Sequence, residues 1–203
     1  MVFPLVLFDT PDTTPGLELH GNPIYLGRLG GFFHAGLVAT VVGAAGAALD
    51  EYERLMREGP TTGFGVTTPG HRINNPDYVR HYGEGLALRD AAEAILLRCG
   101  QLYDEYCHRH VHQGRKFTLE DDVRIWTMAQ QGGRLAFECV DLLFRTSDSS
   151  VVGRRGQRMQ RYMRDVLMYR GHGAAQFHNL HPAAGALALG LTPPGMFGTF
   201  KRD

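Results

Sequence analysis

From Phe32 to about Glu58, apolar and small residues return at three- and four-residue steps. Leu37, Thr40, Val41, Ala44, Ala48, Tyr52 and Leu55 fall on one face at that spacing, which predicts a helix. Gly36, Gly43 and Gly46 lower its intrinsic propensity, so the expectation is that they let a neighbouring helix approach closely. A second long helix is predicted from Asp77 to about Val111, its buried side marked by Leu86, Ala87, Ala91, Ala94, Ile95, Arg98, Leu102 and Tyr106. A third opens at "TLEDDVRIW": Thr118 is a good N-cap, Asp121 sits at capping-box spacing, and three acids suit a helix N-terminus. It runs to about Arg145. A fourth segment runs from about Gln157 to Leu189, weakened at Gly171, Gly173 and Pro182.

Between the helices, polar and turn-forming residues dominate. Residues 1 to 30 combine a strand-like piece, Phe3 to Phe8, with turn-rich proline, glycine and threonine, and read as a short extended connector or the remnant of a β domain. "GPTTGFGVTTPGHRINNP" is a long loop, "TSDSSVVGRRG" a turn, and residues 191–203 a tail. The pattern therefore predicts an all-α fold, a four-helix up-down bundle over residues 31–190.

Composition narrows the function classes. With 203 residues, 43% of them hydrophobic, the chain can bury one sizeable core. Twenty-one basic residues balance twenty-one acidic ones, so no net field draws it to nucleic acid or an anionic membrane. Cys99, Cys107 and Cys139 are odd in number and widely spaced, which argues against a disulfide framework and a cysteine zinc site and fits a reducing cytoplasm. The apolar start lacks a basic n-region, and the run from Phe32 to Leu49 is interrupted by His34, so neither a signal peptide nor a membrane span is expected.

Four constellations could carry chemistry. Glu105 and His108 form one Glu-x-x-His pair, but a di-iron site needs two, and the neighbouring basic cluster suits a solvated helix end. His172, His178 and His181 lack a carboxylate within a turn or two, so packing or hydrogen bonding is preferred to metal ligation. No metal is therefore expected. The turn "TSDSSVVGRRG" offers hydroxyls and backbone N–H groups that could cradle a phosphate, with Arg154 and Arg155 near, or it is an ordinary capped turn. Finally, Arg161, Arg164, Asp165 and Tyr169 lie three and four residues apart, with His172 continuing the series at the next turn. Buried, such a ladder is either an interhelical salt-bridge network or part of a site.

Taken in order, "FFHAGLVATVVGAAGAALDEYERL", the second helix, "ECVDLLFRTSDSSVV" and "RMQRYMRDVLMYRGH" resemble the C-terminal helical domain of the acyl-CoA dehydrogenase superfamily, and within it the two-component flavin-dependent monooxygenases. The most specific elements are the turn followed by R-x-x-R-D and a histidine eight residues after the second arginine. The resemblance implies a reduced flavin, FMN or FAD, bound between this bundle, a β domain, a further helical domain and a neighbouring subunit. It implies that Ser147, Ser149, Ser150 and Arg161 serve the cofactor. It also implies that His172 acts in acid-base or hydrogen-bonding chemistry beside flavin and substrate, supported by Asp165 and Arg164, with Tyr169 and His178 as lesser candidates. The dehydrogenase branch uses a carboxylate base, whereas no glutamate follows Asp165, which favours the monooxygenase branch. The resemblance begins near the junction of β domain and bundle, so a complementary chain or homo-oligomer is expected to complete the pocket, with a separate flavin reductase and a small-molecule substrate. The alternative is a non-catalytic helical bundle that has lost flavin and binds a protein partner or small ligand.

Overall fold

The computed structural model describes residues 12–61, 70–195 and 197. Among them the regular elements are all helical: α1 (Pro15–His20), α2 (Leu29–Glu58), α3 (Pro76–Gln113), α4 (Leu119–Thr146), α5 (Ser149–Val152), α6 (Arg158–Gly171) and α7 (Phe177–Ala188), with 3₁₀ turns at Pro23–Leu26, Arg72–Asn74 and Gly173–Ala175. The all-α expectation is met, and the starts of α3 and α4 fall within a residue of those predicted. The strand-like Phe3 to Phe8 lies outside the described residues. Residues 12–30 hold α1 and a 3₁₀ turn, joined by extended residues at Thr14, Asn22 and Gly27: the Thr14 hydroxyl accepts the Leu17 N–H, Pro15 starts the helix, and Gly21 ends α1 at φ 65°.

The described chain divides into two compact units, each containing parts of α2, α3 and α4. In the first unit, the start of α2 lies against α4 at Asp122. A Cβ on Gly31 would sit 2.9 Å from the Asp122 carboxylate, and the Gly31 N–H donates to that carboxylate at 2.7 Å. The absence of a side chain lets α4 cap α2 across 91 residues of sequence. Phe117 is fully buried, edge-on to Tyr103 and Tyr106 with centroids 5.5 and 5.4 Å away. Leu180 and Ala183 of α7 pack with Leu119, Val123 and Phe197. Phe197 thus draws part of the predicted tail into a core, while residues 198–203 lie outside the described set.

In the second unit, α2, α3, α4 and α6 share a core. The seam of α3 is Gly85 and Ala92, a seven-residue step that continues in the first unit at Cys99 and Tyr106. Of the predicted side, Leu102 and Tyr106 are buried and Leu86 and Ile95 half-buried, whereas Ala87, Ala91, Ala94 and Arg98 are exposed. The reason is physical: a glycine and an alanine form the seam because Leu49 and Leu143 fill the space above them, 3.2 and 3.1 Å from where a Gly85 Cβ would be. The Cys139 thiol donates to the Gly85 carbonyl at 3.3 Å, and burial pushes that thiol up to about 12. A Cβ on Gly133 would collide with the Tyr169 ring and hydroxyl, so the Tyr169 side chain of α6 packs directly on the α4 backbone.

The glycines of α2 behave otherwise than expected. A Cβ on Gly36, Gly43 or Gly46 would meet nothing within 4 Å, so they face open space, whereas Gly27, Gly30, Gly31, Gly85 and Gly133 are among those where another element approaches closely. By length and apolarity α2 does reach what a membrane span requires, contrary to expectation. It nonetheless buries Val38, Val41, Val42, Ala45, Ala48, Leu49 and Tyr52, and carries the buried polar residues His34 and Glu51. The fourth predicted segment is two helices: α6 stops at Gly171, a 3₁₀ turn follows, and α7 restarts at Phe177. Glycines at 171 and 173 are poor helix formers, and the His172 backbone is extended, at φ −73° and ψ 136°.

Candidate functional site

α6 is amphipathic, and its inward face is Met159, Val166 and Tyr169. On the opposite side Arg161, Arg164, Asp165, Met168 and His172 are exposed. At 3.6 residues per turn these five occupy an arc of about 100° along roughly 16 Å of helix. The buried polar ladder expected from the sequence is therefore corrected: Arg161, Arg164 and Asp165 point outward. Among the described residues they make no ion pair with one another. Arg161 instead lies over the Tyr162 ring at 5.4 Å. The reason lies in the phase of the helix, since the apolar residues that fix it are Met159, Val166 and Tyr169, whose mean direction is roughly a third of a turn from that of the arc. Met168 is 77% exposed in the middle of the charged arc. The arc is thus charged and apolar together, as a surface built to meet another group is.

Tyr169 is buried against Gly133, and burial drives its phenol well above the usual tyrosine range, so it stays protonated. It anchors α6 rather than lining the outer face. The His172 N–H donates to the Tyr169 carbonyl at 2.9 Å, which places the imidazole at the end of the same helix. His178 and His181 are exposed on α7 in the first unit. Glu105 is held by Arg98 at 2.7 Å and does not join His108, whose ring lies 3.7 Å from Asp104 instead. Among the described residues no group of three or more metal-ligating side chains comes together.

The predicted phosphate-cradling turn is a single helical turn, α5. Ser147 is fully buried, and its hydroxyl donates to the Leu143 carbonyl at 2.6 Å, closing the end of α4. Its hydroxyl hydrogen is therefore committed to the fold. Ser149 is exposed, and the side chain of Ser150 lies outside the described residues. Asp148, at φ 76°, turns the chain in the left-handed region that aspartate tolerates.

Beneath this turn lies Arg72, which sequence reasoning did not single out. It is 2% exposed, donates Nε to the Pro60 carbonyl and Nη1 to the Ser147 carbonyl, both at 3.0 Å, pairs with Asp148 at 3.6 Å, and stacks over Tyr78 at 5.3 Å. Guanidinium geometry lets one side chain engage three groups at once and so tie the α4–α5 turn to the loop before α3. Above it opens a cavity of about 600 Å³ in the second unit, lined by Glu51, Arg54 and Arg72 and by the loop from Arg154 to Arg158. Glu51 is 3% exposed. The Arg54 guanidinium beside it, with Gln157, holds its carboxyl below the usual range against the cost of burial. The only sequence signal for either residue was a charge beside apolar core positions, in "DEYERLM" for Glu51.

The family model for the acyl-CoA dehydrogenase C-terminal domain matches residues 35–177. Solved structures with similar folds include the 3-HSA hydroxylase from Rhodococcus sp. RHA1, 21% identical with a TM-score of 0.71, over 90% of this chain and 45% of that one. The HsaA monooxygenase from M. tuberculosis is 19% identical with a TM-score of 0.70, over 90% and 44%. XiaF from Streptomyces sp., in complex with FADH2 and glycerol, is 20% identical with a TM-score of 0.69, over 85% and 42%. The chain spans less than half the length of each of these structures. No curated protein matches it. With the family match running from the second turn of α2 through α6 and including the R-x-x-R-D stripe, the chain belongs to the acyl-CoA dehydrogenase family, in the part that forms its C-terminal domain.

Proposed function

We propose that this chain is the C-terminal portion of a reduced-flavin-dependent monooxygenase, and that the outer arc of α6 faces flavin and substrate. The observation that carries the reading is that arc: Arg161, Arg164, Asp165, Met168 and His172, all exposed, with the three charged residues unpaired among the described residues apart from the Tyr162 contact. Fixed charges, an imidazole and an apolar thioether on one rigid face fit a flat, partly anionic aromatic cofactor, and the arginine surplus of the nearby cavity fits its phosphate. The hydroxylase, the monooxygenase and the FADH2 complex among similar folds support the same class.

In this reading a bound reduced flavin supplies the electrons and the oxygen-transferring centre. The chain supplies position and protons. A ring nitrogen of His172 holds or returns a proton at the substrate oxygen, and Arg164 and Asp165 one to two turns earlier set the field in which it does so. Tyr169 keeps α6 seated on Gly133, and Met168 helps exclude water. Arg161 and Ser149, with the backbone of Ser150, serve the phosphate-bearing part of the cofactor. The complementary polypeptide or a second copy covers the arc, and a separate reductase delivers reduced flavin.

His172→Ala in the assembled enzyme tests this assignment. Assembly and flavin retention should be preserved while product formation falls at least about a hundredfold, the usual scale of lost acid-base assistance. Undiminished hydroxylation by the variant would remove His172 from the mechanism. The non-catalytic alternative has one observation in its favour, the exposed Phe32 and Phe33 on α2, 54% and 57% accessible, which suit contact with another chain.

A further inference from the structure

The end of α3 and the loop after it, "HRHVHQGRK", crowd basic and histidine side chains that the flavin reading does not use. Two of them serve the fold. His110 is buried, and Arg109 donates to the Asp121 carboxylate and to the Lys116 carbonyl, the latter at 3.1 Å, while lying 4.7 Å from the centre of the Tyr106 ring. Arg109 thus ties the end of α3 to the start of α4. His108 and His112 are of another kind, since both are exposed.

A spacing of four residues sets these two imidazoles on one face, a turn apart. Their ring centres are 5.4 Å apart and their planes inclined at 38°. Two imidazoles that share one tetrahedral zinc ion bind it through nitrogens at about 2.0–2.1 Å, with each ring centre about 1.1 Å beyond, which puts the centres about 5.2 Å apart. Neighbouring ligands of a square-planar ion would stand only about 4.5 Å apart. The pair therefore already has the spacing of a tetrahedral site. Packing of two rings explains their contact equally well, but gives no reason for zinc to bind.

Two features of the surroundings favour a cation. Asp104, one turn before His108, has Oδ1 3.7 Å from His108 Nε2, too long for a hydrogen bond and one small side-chain rotation from making it. A carboxylate that accepts the Nε2–H leaves Nδ1 for the ion, the way metal-binding histidines are commonly held. The last turns of α3 also carry the negative end of the helix dipole. Arg115 and Lys116 oppose a cation, but both are exposed and solvent screens them.

We infer that His108 and His112 form a zinc-binding pair, with Asp104 holding His108. Among the described residues no third ligating side chain joins them, so water fills the other positions. Two protein donors fall short of the three that a catalytic zinc keeps, and the ion would instead link the last two turns of α3. Neither histidine has a part in the flavin reading, so the pair stands or falls separately from it.

Calorimetric titration of the chain with zinc chloride tests the pair. Wild type should bind zinc and not magnesium, a hard ion that prefers oxygen donors. His108→Ala and His112→Ala should each bind at least about tenfold more weakly, because a ligand is worth no less than the outer partners whose loss costs that much. His112→Ala combined with Gln113→His keeps the number of histidines but moves the second ring off the face, and should bind as weakly as His112→Ala alone. His181→Ala, which breaks the other histidine pair about one turn apart, should bind as wild type does. Asp104→Asn should weaken binding by less than the loss of either histidine. Zinc should also raise the urea midpoint of wild type and leave that of both histidine variants unmoved.

Both rings are exposed, so the variants should keep the wild-type circular dichroism. No zinc binding by wild type, undiminished binding in either single alanine variant at 108 or 112, or recovery of binding with Gln113→His overturns the pair. Loss of binding in His181→Ala overturns it too, by placing the ion on α7. Unchanged binding in Asp104→Asn overturns the part given to Asp104.

Discussion

Replacing Arg72 by methionine removes the group that fastens the α4–α5 turn to the loop before α3. The side chain is 2% exposed and closes two carbonyls, those of Pro60 and Ser147, besides pairing with Asp148. Methionine fills much of the volume but satisfies none of these acceptors. Each buried carbonyl left unpaired costs about 1–3 kcal/mol, and a buried ion pair broken on one side about 3–5 kcal/mol when both partners are enclosed. Asp148 is 18% exposed and can turn to water, so its share is reduced. The expected loss for Arg72→Met is therefore about 3–5 kcal/mol of unfolding free energy. Arg72→Lys keeps the charge but reaches with one ammonium where a fork reached three groups, and should lose roughly half as much. Urea unfolding followed by helical circular dichroism measures both. A loss below about 1 kcal/mol for Arg72→Met, the scale of an ordinary surface change, would refute the reasoning.

Asp122 should make stability depend on pH in an unusual direction. Burial raises its carboxyl from 3.8 to about 6 despite the Gly31 N–H and Arg28, so the native state holds that proton more tightly than the unfolded chain. Its contribution is full below pH 3.8 and is lost as pH rises through about 6, by about 3 kcal/mol in all. The stability difference between wild type and Asp122→Asn should shrink by that amount across this window in urea titrations, and a flat difference would contradict the assignment. Gly133→Ala forces a Cβ into the Tyr169 hydroxyl and should cost about 1–3 kcal/mol, partly restored by Tyr169→Phe in the same chain. An unchanged midpoint for Gly133→Ala would show that α4 and α6 have room to part.

The helices were legible where local chemistry decides them. Thr118 and Asp121 bond each other as a capping box, Asp121 N–H to the threonine hydroxyl at 3.2 Å and Thr118 N–H to the carboxylate at 3.1 Å, and α4 begins at Leu119 as that spacing requires. Faces were less legible wherever small residues form the seam. In α3 the buried positions include Gly85, Ala92 and Cys99, so counting large apolar side chains shifts the phase. In α6 Arg161, Arg164 and Asp165 do share one side, but among the described residues they form no ion pair with one another and they are exposed, because Met159, Val166 and Tyr169 set the inward face. The Glu51–Gln157 latch and the Arg72 clasp join residues 106 and 75 apart, and no local pattern encodes such pairs.

Flavin retention tests the central claim most directly. The chain is combined with the polypeptide that supplies the remainder of the relatives' length, chemically reduced FMN or FAD is added without oxygen, the mixture is passed over a desalting column, and flavin in the protein fraction is measured by its absorbance after reoxidation. The account requires a yellow complex that forms only when both polypeptides are present and that weakens when the outer arc of α6 is altered, for instance by Arg161→Ala with Arg164→Ala. A complex with no retained flavin in any pairing would contradict it and leave the chain a helical partner-binding module.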